Sequence, residues 1–172
     1  METLKQAIRD VPDFPKPGII FKDITTLLRD PAHYRQALDL MEARWKDERI
    51  DLVAGIESRG FIFGAALADR LGAGFIPVRK PGKLPAAKRM REYELEYGTD
   101  ALEVHEDAAQ PGQRVLICDD LVATGGTALA TAELFEDLGA EIAGFSILVN
   151  LAFLPGAKKL EKWPTHYLLE YE

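Results

Sequence analysis

Asp119 and Asp120 stand side by side at the end of an apolar run, Val115-Leu116-Ile117-Cys118. Five small residues follow closely: Ala123, Thr124, Gly125, Gly126 and Thr127. An ionised carboxylate only accepts hydrogen bonds, so a carboxylate pair suits sugar hydroxyls, which donate them. Small residues ahead of a helix suit a phosphate. The first N–H groups of a helix have no internal partner, the helix dipole adds partial positive charge, and small side chains allow close approach. The stretch therefore reads as a strand over 115–118, an acidic edge, a glycine turn and a helix over 128–138, together a site for a ribose 5-phosphate. A Walker-type loop would need Lys after the second glycine, where Thr127 stands, and no G-x-G-x-x-G follows the strand. A metal-ligand role for Asp119 and Asp120 is the rival functional reading, and a generic strand-to-helix turn is the plain one.

Cations stand in two other places. Arg59 lies in Glu57-Ser58-Arg59-Gly60, where a guanidinium could chelate an anion bidentately. Arg79, Lys80 and Lys83 bracket Pro81-Gly82 and suit a lid that neutralises a leaving group; a solvated basic loop is the alternative. Glu96 and Tyr97 follow that loop. Glu94 and Glu96 alternate with Tyr93, Leu95 and Tyr97, which also fits the outer face of a hairpin. His33, His105 and His166 are far apart and lack metal-ligand spacing. Cys118, the sole cysteine, excludes an internal disulfide and reads as a small buried hydrophobe.

The elements that must position these residues follow from pattern. A length of 172 residues with 47% hydrophobic and 28% charged residues suits one globular domain over 1–172. Net charge of −7 argues against a general nucleic-acid binder, so any anion site must be built locally. No apolar segment reaches membrane-spanning length, and the mixed charge of residues 1–10 does not resemble a signal peptide; a cytoplasmic setting is the expectation. Residues 1–30 form a separate flap. It holds a short helix over 4–10, a Pro-rich stretch that excludes continuous helix or strand, and a short strand over 19–21. Asp30-Pro31 starts a helix running to about residue 47, with Leu38, Met41 and Trp45 on one face. Short apolar strands at 52–56, 75–78, 115–118 and 142–149 alternate with helices at 61–71 and 128–138, giving an α/β core over 31–150. That alternation predicts a central, mostly parallel sheet flanked by helices, with ligands at the strand C-termini. Residues 79–92 read as a lid loop, with a hairpin after it. Residues 151–172 read as a tail ending in an edge strand over 166–169.

The acidic pair with Ala-Thr-Gly-Gly-Thr resembles the 5-phosphoribosyl-1-diphosphate (PRPP) motif of the type I phosphoribosyltransferases. Phe14-Pro15-Lys16-Pro17-Gly18-Ile19-Ile20-Phe21-Lys22-Asp23-Ile24 resembles the N-terminal hood of the branch of that family that uses adenine. Glu57 to Gly64 resembles its pyrophosphate loop, and Val78 to Pro85 with Leu95 to Gly98 its flexible loop and hairpin. The likeness covers nearly the whole chain in order. It implies a type I phosphoribosyltransferase-like fold with a small hood and a flexible loop. It implies transfer of phosphoribosyl from PRPP to adenine, giving AMP and pyrophosphate, in a cytoplasmic homodimer. Magnesium is implied on PRPP oxygens and water, with no direct protein ligand. Carried onto this sequence, the likeness gives Asp119, Asp120 and 123–127 to ribose and phosphate, and Arg59, Arg79, Lys80, Lys83 and Tyr97 to pyrophosphate and lid. It gives Phe21 and Leu121, with main-chain groups of Ile20 and Lys22, to adenine, and Glu96 to acid/base work. Ala87-Lys88-Arg89-Met90-Arg91-Glu92 is more basic than the family's Thr/Ser-containing stretch. A transferase for another purine base, and a regulator that senses PRPP and binds nucleic acid, are the competing readings.

Overall fold

The computed structural model describes residues 1–94 and 98–172. Glu2–Ala7 (α1) leads into Arg9–Pro12 (β1), which pairs antiparallel with Ile20–Asp23 (β2). The flap is thus a two-stranded hood, and β1 is a strand the sequence did not suggest. Pro12 closes it, where its missing N–H matters least. The short helix stops at Ala7 rather than residue 10, because Arg9 and Asp10 pair with Asp23 and Lys22.

Thr25–Leu28 (α2) joins the hood to Pro31–Trp45 (α3). Asp30 caps α3 as expected, its carboxylate accepting from the Ala32 and His33 amides. Then come Leu52–Ile56 (β3), Gly60–Leu71 (α4), Gly74–Val78 (β4), Lys88–Glu94 (β5), Thr99–His105 (β6), Arg114–Val122 (β7), Gly126–Asp137 (α5), Glu141–Leu151 (β8), Gly156–Lys159 (α6) and Thr165–Tyr171 (β9). Five of the strands form one parallel sheet in the order β4-β3-β7-β8-β9. Strands β5 and β6 form a separate antiparallel pair.

Alternation sorts the sheet's side chains into two cores. Val53, Leu116, Cys118 and Leu148 pack with Leu4, Leu27, Met41, Trp45 and Phe63, under α1 to α4. Leu52, Ala54, Ile56, Ile117 and Phe145 pack with Leu102, Val104, Leu134 and Phe135, under α5 and the β5–β6 pair. All five strands run the same way, so their C-terminal ends share one edge.

Two expectations need correction. The lid loop does not extend to residue 92: Lys88 to Glu94 are strand, in register with His105 to Thr99. Two of its basic residues are held: Arg91 reaches Asp137 at 2.7 Å and Glu133 at 3.5 Å on α5, and Lys88 Nζ donates to the Leu84 carbonyl at 3.2 Å. The strand read as 115–118 continues to Val122, so the acidic pair lies within β7 rather than beyond it. Its neighbour β8 is long enough to keep pairing, Leu121 beside Val149 and Val122 beside Asn150.

Candidate active site

Three strand ends build the site. On β7, Asp119 and Asp120 follow the fully buried Cys118, whose thiol burial pushes well up, in keeping with a packed hydrophobe. Asp120 is only 4% exposed, with Arg59 Nε 2.9 Å from its Oδ2, while Asp119 is half-buried and lines the cleft described below. Burial, then the neighbouring Asp120 charge, pushes the Asp119 carboxyl well above the usual range. Burial also raises Asp120, and the Arg59 guanidinium opposes it. Two carboxylates this close and this buried resist holding two charges at once. Gly60, at the start of α4, makes the crowding possible: a Cβ there would lie 2.8 Å from the Cys118 carbonyl oxygen and 2.9 Å from Asp119 Oδ1.

A cleft of about 260 Å³ opens beside them, lined by Asp119, Leu121, Ala123, Thr124, Gly125 and Thr127 among others. Gly125 takes φ +75° to turn the chain into α5, and its Cα is packed against the Gly156 backbone so closely that a Cβ would lie 2.7 Å from the Gly156 oxygen. Gly126 lies under the hairpin, its Cβ position 3.2 Å from the Glu94 oxygen and 3.3 Å from Tyr93. No side chain caps α5, so its first N–H groups face the cleft region without an internal acceptor.

Arg59 links three elements. Besides Asp120, its guanidinium lies 5.1 Å from the Phe21 ring centre, so the hood, the β3–α4 turn and β7 meet there. Phe14 packs edge-on against Phe21 at 5.2 Å. Ile20 is exposed, and Lys22 pairs with Asp10 at 2.7 Å.

Each lid cation has a carboxylate nearby, although Lys83 stays exposed. Glu57, at the end of β3, accepts from Arg79 Nε at 3.0 Å and from the Lys80 amide at 2.8 Å, with Lys83 Nζ 3.7 Å away. Burial works against charge on Glu57, but the Lys80 amide and Arg79 hold its carboxyl below the usual range. Adjacent strands force the meeting, since Glu57 N–H donates to the Val78 carbonyl. Lys80 Nζ instead pairs with Asp100 and contacts the Tyr93 hydroxyl at 3.0 Å. Sequence reasoning missed Glu57 as part of the site; its place beside Arg59 after a strand was the available signal. Glu96 and Tyr97 lie outside the described residues.

The family profile described as Phosphoribosyl transferase domain matches residues 23–168. The chain is 58% identical over 168 residues to "Adenine phosphoribosyltransferase" of Acaryochloris marina, covering 98% of this chain and 99% of that one. The chain belongs to the adenine phosphoribosyltransferase family. The crystal structure of the family member from Rhodothermus marinus superposes with a TM-score of 0.94 at 53% identity, covering 99% of this chain and 97% of that one. The Saccharomyces cerevisiae member, solved with D-2,5-dideoxy-2,5-imino-altritol 1,6-bisphosphate and adenine, superposes at 0.91 with 41% identity, covering 98% and 97%. The fold is that of the type I phosphoribosyltransferases, with the parallel sheet, hood and hairpin expected of this family.

Proposed function

We propose that this chain transfers the 5-phosphoribosyl group of PRPP to adenine, giving AMP and pyrophosphate, and does so as one domain. The observation that carries the reading is the meeting of Phe21, Arg59 and Asp120 beside the cleft at Ala123 to Thr127. A base platform, an anion-binding guanidinium, ribose acceptors and a phosphate cradle share one sheet edge. The yeast relative, holding adenine and a sugar analogue with phosphates at both ends, carries the same three parts of substrate.

The reaction forms a bond from a purine nitrogen to the ribose anomeric carbon and breaks the bond to pyrophosphate. Positive charge develops on the ribose and negative charge on the leaving group, so positioning and electrostatics do most of the work. The 5-phosphate takes the free N–H groups at the start of α5 and the hydroxyls of Thr124 and Thr127. Asp119 and Asp120 accept from the ribose hydroxyls and favour positive charge on the ring. Arg59, Arg79 and Lys83 receive the pyrophosphate; Arg79 and Lys83 must leave Glu57 to do so. Lys80, held by Asp100 and Tyr93, anchors the hairpin beneath the lid. Adenine lies between Phe21 and Leu121, with main-chain groups of Ile20 and Lys22 reading its edge. By the family resemblance, Glu96 is assigned as the acid/base candidate for the purine and Tyr97 to the pyrophosphate and lid.

Among the described residues no three His, Cys, Asp or Glu side chains converge on a metal position. The acidic pair offers two carboxylates that burial biases toward a shared proton. That donor set suits magnesium carried by PRPP oxygens and water, since the ion dehydrates reluctantly. Bound there, magnesium would neutralise pyrophosphate charge. No helix among the described residues is long and apolar enough to cross a membrane; we place the protein in the cytoplasm, as a homodimer. Incubation with PRPP, magnesium and each purine base tests the reading. AMP and pyrophosphate should form from adenine far faster than any nucleotide from hypoxanthine or xanthine. Faster turnover of another base, or tight nucleic-acid binding without turnover, would replace it.

A further inference from the structure

We propose that Tyr171, at the end of the sheet's edge strand, is a positioning residue for base recognition: its ring holds the hood strand that presents Phe21. The proposal rests on the reading above that Phe21 meets the base.

The hood needs an external hold. A two-stranded pair is marginal by itself. Most of its polar ties are internal to residues 1–30: Arg9 to Asp23, Lys22 to Asp10, and the Thr26 hydroxyl to the Ala7 carbonyl. Tyr171 belongs to the main sheet instead. It lies beside Leu151 of β8, and its carbonyl accepts from the Ala152 amide at 2.8 Å. From that fixed base its ring meets two hood elements. Lys22 Nζ of β2 lies 4.0 Å from the ring centre, within the range of a cation–π contact. Lys5 Nζ of α1 lies 5.4 Å from it, and the Tyr171 hydroxyl donates to the Lys5 carbonyl at 3.4 Å. Burial, with Asp10 and Glu2 nearby, raises the hydroxyl to about 12, so it remains a donor across the working range.

Strand alternation makes this contact a control on Phe21. Residues 20 and 22 point to one side of β2 and residue 21 to the other. Ile20 and Lys22 line a cleft of about 380 Å³ with Leu151, Phe153 and Tyr171. Phe21 faces Arg59. So β2 is a wall between the rear cleft and the base site, and Tyr171 fixes it from behind.

Tyr171→Leu, Tyr171→Phe and Lys22→Met test this, with steady-state kinetics for both substrates and hydrogen exchange of the β2 amides. Tyr171→Leu should raise the adenine KM about fivefold or more, leave the PRPP KM within twofold, and speed exchange in β2 but not in β3 or β7. Tyr171→Phe keeps the ring and should rescue both readouts. Lys22→Met removes the cation without touching β9 and should move them as Tyr171→Leu does, with Asp10→Asn, which weakens the Lys22–Asp10 pair but keeps the Lys22 cation over the ring, moving them less. Equal changes in both KM values, or unchanged β2 exchange in Tyr171→Leu and Lys22→Met, would overturn the proposal. If the wild-type protein makes no AMP, the base-binding reading fails, while the exchange data still judge the clamp.

Discussion

Asp119 is held where its charge is disfavoured, and a side chain in that position works against stability. A carboxyl that binds its proton more tightly folded than unfolded stabilises the fold below about pH 4, and that contribution is lost as pH rises through the folded value. Burial and Asp120 put Asp119 in this class. Asp119→Asn should therefore raise stability at pH 8 by on the order of 1 kcal/mol, with a smaller gain at pH 5, while lowering turnover strongly. Thermal unfolding at both pH values checks the first part and AMP formation the second. A variant equally stable at both would show that the carboxyl is not strained. Glu57 makes the complementary case. It sits below its usual range because it holds Arg79 and the Lys80 amide. Glu57→Gln keeps an acceptor for that amide but removes the charge that competes for Arg79 and Lys83. The PRPP KM should fall severalfold with the adenine KM unchanged, as kinetics with each substrate varied in turn would show. Residue types made the acidic pair legible in the sequence, because adjacent carboxylates before a glycine loop have few structural reasons to exist. Glu57 was not legible as a partner. Its role depends on β3 lying beside β4, which no local pattern states.

Elements place these residues through close backbone approaches. The loop proposed to hold phosphate turns at Gly125 and rests on Gly156, thirty-one positions later, where α6 begins. Gly125→Ala adds a Cβ 2.7 Å from the Gly156 oxygen at a φ of +75°, so both sterics and backbone conformation oppose it. The loss should be about 2–3 kcal/mol. The displaced loop should raise the PRPP KM more than the adenine KM; denaturant unfolding and kinetics measure the two effects. The central strands were legible as short apolar runs because both faces of a parallel sheet are buried. The extension of β7 through Asp119 to Val122 was not, since two carboxylates interrupt the hydrophobic signal while the backbone keeps pairing with β8. Strand β1 was hidden for a similar reason. Of Arg9, Asp10, Val11 and Pro12 only Val11 favours a strand, and their pairing is set by cross-strand partners on β2. The basic stretch 88–92 read as loop because its counter-charges, Glu133 and Asp137, lie on a helix more than forty positions away.

At the scale of the molecule, one five-stranded sheet carries two small antiparallel units, the hood and the β5–β6 hairpin, on opposite faces. Both reach the ligand edge: the hood through Phe21 over Arg59, the hairpin through Tyr93 and Glu94 over Gly126. On the proposed reading AMP would span both, its base meeting the hood and its phosphate the loop under the hairpin. Ribose 5-phosphate would meet the loop and the acidic pair but lack the base that reaches the hood. Two consequences separate the ligands. A ligand at about 100 times its Kd stabilises the folded state by about 2.7 kcal/mol. For a chain of this size that is roughly 5–10 °C in Tm, and each ligand should give it at that saturation. Protection of the β1 and β2 amides from hydrogen exchange should rise with AMP and stay unchanged with ribose 5-phosphate, because on the proposed reading only the base contacts the hood. The peripheral units open at lower free energy than the sheet core, so the change is measurable without global unfolding. Equal hood protection by both ligands would mean that phosphate binding alone orders the hood. Coupling would then run through Arg59, which touches Phe21 on one side and Asp120 on the other, rather than through the base.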